Sequence, residues 1–206
     1  MKQWLTVALS AFTLLACSAA SSAYEEGKHY QVLDNPQPTA SGDQVEVVEV
    51  FWYGCPHCYS LEPTVHHWLD NKPANVQFER MPAALNPTWA FHAKVYYTAA
   101  ALGVMDVFHE AFFNQIHLHK KRMNSEGEIK AFFGQLGVAG ADFDKAWKSF
   151  SVDSKVRRAK QRVIGYQLRS VPAIIVNGKY VVTAQSAGGN SQIFKVVNEL
   201  VAKEQK

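Results

Sequence analysis

Cysteine is scarce in this chain: three residues in 206, at positions 17, 55 and 58. With no second close pair, a four-ligand zinc site has no ligand set, and Tyr59 stands where covalent haem attachment would need a histidine after Cys58. Net charge is also lacking: a formal +3 gives no electrostatic case for nucleic acid. No apolar run reaches transmembrane length, and neither internal repeats nor low-complexity segments occur. The paired histidines do not add up to a metal site. His66 and His67 are consecutive on an expected helix and diverge, so they read as surface or packing residues. His117 and His119 are two apart, on different helix faces, and lead into Lys120, Lys121 and Arg122 as a solvated basic end. Neither a metal nor a bound cofactor is expected.

The first 23 residues read as a leader. Lys2 supplies a positive start, Trp4 to Ala16 is an apolar run too short for a span, and Ser21-Ser22-Ala23 offers small residues for cleavage before Tyr24. Leu14-Leu15-Ala16-Cys17 also looks like a lipoprotein box, which would leave Cys17 lipidated and the chain tethered to a membrane. Soluble release after Ala23 is preferred, because Leu15 fits such a box poorly. Cleavage there removes one charged residue and leaves about 183 residues, enough for one well-cored domain carrying an insertion. It also leaves two cysteines, both in one Cys-x-x-Cys box. A four-residue loop is a poor staple, because closing it removes little chain entropy. The pair is therefore expected to do chemistry.

That box, Phe51-Trp52-Tyr53-Gly54-Cys55-Pro56-His57-Cys58-Tyr59, sits where a strand from about Gln44 to Trp52 hands over to a helix from Pro56 to about Asp70. Residues three apart share a helix face, so Cys55 and Cys58 can close a small disulfide. Unpaired N–H groups and the positive dipole end at a helix start favour a thiolate on Cys55. Pro56 suits the first turn, where its missing N–H has no intrahelical partner. The dipole contributes only about 0.3–2 kcal/mol, roughly one pKa unit or slightly more. A deeper shift needs direct hydrogen bonds to the sulfur from His57 and nearby backbone. A stabilised thiolate favours the reduced form, which makes the disulfide a stronger oxidant.

Downstream, Tyr30 to Leu33 and Val76 to Arg80 are further strand candidates. Helical periodicity then dominates: Trp89 to Leu102, Met105 to Leu118, Glu126 to Leu136, Asp142 to Phe150, and a basic run from Val152. Ser125 and Glu128 have the capping-box spacing. Ala173–Val176 and Tyr180–Thr183 flank Asn177-Gly178, a strong hairpin signal, and a helix from about Asn190 to Ala202 closes the chain. The expected fold class is α/β: a mixed sheet flanked by helices, with an all-helical insertion.

Cys-Pro-His-Cys-Tyr followed by Glu62-Pro63, together with Gln167-Leu168-Arg169-Ser170-Val171-Pro172-Ala173 and Val176-Asn177-Gly178-Lys179-Tyr180, resembles the DsbA family of periplasmic thiol:disulfide oxidoreductases. The resemblance runs from Tyr24 onward. It implies a thioredoxin fold in two parts, 24–85 and 161–206, around a helical domain at 86–160. It implies catalysis at Cys55 and Cys58 with Pro56 and His57 between them. It also implies a cis Val171–Pro172 bond facing the disulfide, with Val171 offering backbone hydrogen bonds to a bound peptide. Glu49 shares a strand face with Val45, Val47 and Phe51. On its own it is equally a solvated carboxylate or a partly buried acid beneath Cys58; the resemblance favours the second. Arg80 is either its positive partner or a solvated strand end.

The implied activity is oxidation of reduced, unfolded exported proteins through a mixed disulfide on Cys55. A monomer in the periplasm, reoxidised by a DsbB-type quinone-linked membrane protein, is expected. A disulfide reductase or isomerase is the enzymatic alternative, although the residues between Tyr24 and Asp43 leave no room for the dimerisation domain that such isomerases usually carry. A holdase-like peptide-binding module is the alternative from another class; it would bind chains equally well with both cysteines blocked.

Overall fold

The computed structural model describes residues 23–205; the expected leader up to Ser22, with Cys17, lies outside them. A five-stranded sheet, ordered β1-β5-β4-β2-β3, is assembled from β1 (Gln31–Val32), β2 (Val45–Phe51), β3 (Val76–Pro82), β4 (Ala173–Val176) and β5 (Tyr180–Val182). β2 is buried at all seven positions, as its β-branched run on both faces requires of a central strand. It runs parallel to β3, with helix α1 (Pro56–Asn71) as the crossover, and antiparallel to β4. Asn177 and Gly178 both have positive φ, the conformation a tight hairpin between β4 and β5 demands, and a Cβ on Gly178 would strike the Gln37 carbonyl.

Between β3 and β4 lie α2 (Pro87–Leu102), α3 (Met105–His117), α4 (Glu126–Gln135), α5 (Gly140–Trp147) and α6 (Phe150–Gly165). The capping box at Ser125 and Glu128 is formed. The short helix α7 (Ala184–Ala187), capped by Thr183, precedes α8 (Asn190–Glu204). α7 has only four residues and no periodicity to announce it, and it takes Thr183 out of β5.

Three cores follow from this layering. On one sheet face, Val45, Val47, Ile174 and Val182 meet Leu61, Val65 and Trp68 of α1 and Val196, Val197 and Leu200 of α8. On the other, Val48, Val50, Ile175 and Val181 meet Ala159 and Val163 of α6 and the following Tyr166. The third fills the helical layer with Phe108, Phe112, Phe113, Phe132, Phe133 and Phe143, and it reaches Phe51, Tyr53, Cys55 and Cys58. The cysteine box is thus the seam between sheet and helical layer. α6 is continuous through residue 160, and its second half packs on the sheet.

Polar groups bolt α6 to the sheet. Arg162 donates to Glu46 of β2 at 3.0 Å and to Glu79 of β3 at 2.6 Å. Glu46 is almost wholly buried, and its carboxylate accepts from that guanidinium and from the Ala40 N–H. Replacing Arg162 with Ala is expected to lower unfolding free energy by about 2–4 kcal/mol, because it strands a buried carboxylate. Urea denaturation should show the R162A/E46Q double variant losing less than R162A alone.

Candidate active site

The thiols sit where a strand ends and a helix begins. Cys55 is the N-cap of α1, extended at φ −88° and ψ 117°, and Pro56 occupies the first helical turn. Cys55 N–H bonds Trp52 O at 3.0 Å and Tyr59 N–H bonds Cys55 O at 3.1 Å, so the turn and the helix are both closed around this residue. A Cβ on Gly54 would collide with the Trp52 indole, which makes glycine obligatory in that turn. Cys55 keeps 8% of its surface, and Cys58, one turn inside, keeps none. Pro56 and His57 are exposed beside them.

These positions polarise the pair, which is present as two free thiols. The Cys58 thiol donates to the Cys55 sulfur, and this, with backbone N–H bonds from Cys58 and His57 and the His57 charge, brings the Cys55 thiol down to about 6 against the opposing effect of burial. Cys58 goes strongly the other way: burial, its hydrogen bond to Cys55 and the neighbouring Cys55 charge all favour its neutral form. The partner cysteine is the leading influence on the thiolate; His57 adds a backbone N–H bond, and its side-chain charge ranks below that.

Beneath the box lies a buried polar chain. The parallel register sets Arg80 directly opposite Glu49, and Arg80 bonds Glu49 at 3.1 Å and Glu62 of α1 at 3.0 Å. Glu49 is fully buried and its Oε1 has no hydrogen-bond partner. Burial first, then the charge of Glu62, raises its carboxyl to about 8 despite Arg80. Burial also pushes Glu62 up, but His109, Arg80 and His66 outweigh it and hold that carboxyl below the usual range. The two acids share one guanidinium, and the negative charge resides on Glu62. Glu49 is also close enough to Cys58 for an ionised Glu49 carboxylate to raise the Cys58 thiol further. The partly buried acid is therefore the arrangement found, and Arg80 is its partner rather than a solvated strand end.

Tyr53 extends this chain into the helical layer. Its hydroxyl lies 2.8 Å from His109 Nδ1, and His109 Nε2 lies 3.4 Å from Glu62. Burial lowers the His109 pKa against the pull of Glu62; in the neutral ring, Tyr53 donates to Nδ1 while Nε2–H is directed at Glu62. His66 also approaches Glu62, at 3.3 Å. Its neighbour His67 remains exposed. The signal for this cluster was available: Cys58, Glu62 and His66 fall at i, i+4 and i+8 on α1, one face of the helix.

His117 overturns an expectation. It is not part of a solvated basic end: its Nε2–H donates to Tyr53 O at 2.7 Å, and its ring stacks on Tyr59 at 4.7 Å. The relevant spacing was to Phe113 and His109, four and eight residues earlier, rather than to His119. Tyr59 is held a second time through its hydroxyl, on Asn114. Across the thiols, the Val171–Pro172 peptide bond is cis, and Cys55 Sγ–H points at Val171 O, 3.5 Å away. Two segments more than a hundred residues apart thus meet at one sulfur. Among the described residues, no three His, Cys, Asp or Glu side chains are placed to hold a metal, and no helix is long and apolar enough to cross a membrane.

Known proteins share this arrangement. Residues 88–200 match the family model of the DSBA-like thioredoxin domain. The chain is 36% identical over 200 residues to the thiol:disulfide interchange protein DsbA of Pseudomonas aeruginosa, covering 97% of this chain and 95% of that protein. It is 38% identical over 178 residues to the protein of that name from Azotobacter vinelandii, covering 86% and 83%. The crystal structure of Pseudomonas aeruginosa DsbA superposes with a TM-score of 0.85 at 38% identity, covering 90% of this chain and 96% of that one. A solved oxidoreductase DsbA from Xylella fastidiosa gives 0.81 at 26% identity, covering 88% and 97%. With its polarised cysteine pair at the start of α1 and a cis proline facing it, the chain belongs to the DsbA family of thiol:disulfide oxidoreductases.

Proposed function

We propose that this oxidoreductase works as a disulfide donor to newly exported polypeptides in the periplasm. The observation that carries this direction is the opposition between the two thiols: Cys55 is drawn down to about 6 while Cys58 is held protonated. A reduced form stabilised in this way makes the disulfide a strong oxidant and Cys55 a good leaving group.

The first step is attack of a substrate thiolate on Cys55 Sγ of the disulfide. The new S–S bond joins substrate to Cys55, the Cys55–Cys58 bond breaks, and its electron pair leaves on Cys58, which takes a proton. A second substrate thiolate then attacks the substrate sulfur of this mixed disulfide. Substrate departs oxidised by two electrons, and Cys55 leaves as the thiolate. Cys58 exposes no surface, which supports Cys55 as the sulfur that meets the substrate. Glu49, protonated at neutral pH, serves as proton reservoir for Cys58, and Arg80 sets its charge. The extended substrate lies along Val171 and Pro172. A DsbB-type quinone-linked membrane protein restores the disulfide, and the monomer uses no other cofactor. A reductase or isomerase would require a much less oxidising pair, and a holdase would not depend on the thiols at all.

Equilibration against glutathione buffers is expected to give a potential well above the roughly −270 mV of thioredoxin; a thioredoxin-like value would transfer the assignment to the reductase. Cys55→Ser should abolish oxidation of a dithiol peptide, and persistent oxidation would remove the mechanism. Titration of thiolate absorbance should place Cys55 near pH 6. Cys58→Ala should raise that midpoint more than His57→Ala does, and the reverse order would make His57 the principal partner. The depressed Cys55 pKa stabilises the folded dithiol form only where the thiolate exists. Its contribution is complete near pH 9 and disappears as pH falls through about 6. Urea denaturation of the two redox forms should therefore show the dithiol form losing stability relative to the disulfide form across that window.

A further inference from the structure

The segment joining α3 to α4 carries four successive basic or titratable side chains, His119, Lys120, Lys121 and Arg122, all exposed. Lysine and arginine at a helix C-terminus commonly serve only to complement the dipole. Here the backbone does more than trail off. At its near end, His117 donates to the carbonyl of Tyr53. At its far end, buried Met123 offers its carbonyl to His92, at 3.1 Å, and the His92 ring stacks on Trp52. Between these ends, Lys121 N–H closes on Gln115 O, and Lys120 and Met123 both adopt positive φ, 56° and 50°. Left-handed backbone at two non-glycine residues persists only where the surroundings hold it.

The segment is therefore fastened at one end to Tyr53, two residues before Cys55, and at the other to His92 of α2, whose ring stacks on Trp52. Lys120 is three residues from one anchor and three from the other, so its Cα lies within about 11 Å of either anchoring Cα. Among the described residues, none of Lys120, Lys121 and Arg122 is engaged in an ion pair. Glu128 feels the charge of Lys121, while its carboxylate is occupied by Ser125 and the Asn124 N–H. Leu118, 60% exposed, adds an apolar residue to the same rim.

We infer that this fixed basic rim, His119 to Arg122, selects substrates whose reacting cysteine is flanked by acidic residues. The inference rests on the disulfide-donor reading above. Under that reading, the group that must arrive at Cys55 is itself an anion, a thiolate, and neighbouring carboxylates on the same extended chain add to the attraction. Cationic side chains around a cleft raise the local concentration and association rate of such a ligand, and salt removes the effect. An anionic membrane surface is the competing occupant of a basic patch. The rim is favoured as a polypeptide contact because His117, at its near end, holds the Tyr53 carbonyl in the turn that carries the reacting sulfur, and its far end reaches the same turn through His92, which stacks on Trp52.

The test uses the oxidised full-length mature protein and three dithiol peptides that differ only in whether Glu, Gln or Lys flanks the cysteines. Each is oxidised at low and high salt by wild type and by the K120E/K121E/R122E variant, which leaves His117 and Met123 in place; circular dichroism verifies its fold. Wild type should oxidise the Glu peptide about three- to thirtyfold faster than the Lys peptide at low salt. High salt should bring that ratio towards one, and the variant should invert it. A ratio near one in wild type, or one that the variant leaves unaltered, overturns the inference. So does a variant that loses only its binding to anionic phospholipid vesicles, since the rim is then a lipid contact. If none of the peptides, the Gln peptide included, is oxidised by wild type, the donor reading itself fails.

Discussion

Putting Cys55 one residue outside a helix and Cys58 one turn inside it is the constraint on which the rest of the site depends. The N-cap position turns the Cys58 thiol and the first amide groups of α1 toward the outer sulfur, so charge there is solvated by the protein itself. The inner sulfur has only a backbone bond from Trp52, which burial outweighs, and it packs into the aromatic core of the helical layer. Sheet, crossover helix and helical insertion all contribute to this inequality. The strand sets where the turn begins, Gly54 makes room for the Trp52 ring, and the phenylalanines of α3 and α4 exclude water from Cys58.

A second inequality underlies the first. Two carboxylates converge on one guanidinium, and the protein assigns them different states: Glu62 has the company of His109 and His66, whereas Glu49 has only Arg80 and an unpartnered oxygen. A carboxyl raised to about 8 is thereby held within electrostatic reach of the Cys58 thiol. This follows from burial and partner count rather than from any unusual geometry.

Much of this was legible in the sequence, because its signals are local. The strand-box-helix succession rests on periodicity over a few residues, Pro56 at the helix start on a missing N–H, and the β4–β5 hairpin on Asn177-Gly178. Family resemblance supplied the distant Val171–Pro172. Contacts between elements were harder to see. Arg80 meets Glu49 because two parallel strands share a register that neither strand encodes alone. His117 was assigned to solvent by comparing it with His119, although its partner is the backbone of Tyr53, 64 residues away. Tyr53–His109 was invisible for the same reason. α7, at four residues, is too short for any periodic signal.

Tyr53 connects these layers in an unusual way, since α3 grips it at both ends: the carbonyl through His117 and the hydroxyl through His109. A single residue is thereby pinned fore and aft to one helix, two positions upstream of the reacting sulfur. The helical layer and the thiol turn are thereby joined at two points, so any displacement of α3 must either carry Tyr53 with it or break one of these bonds.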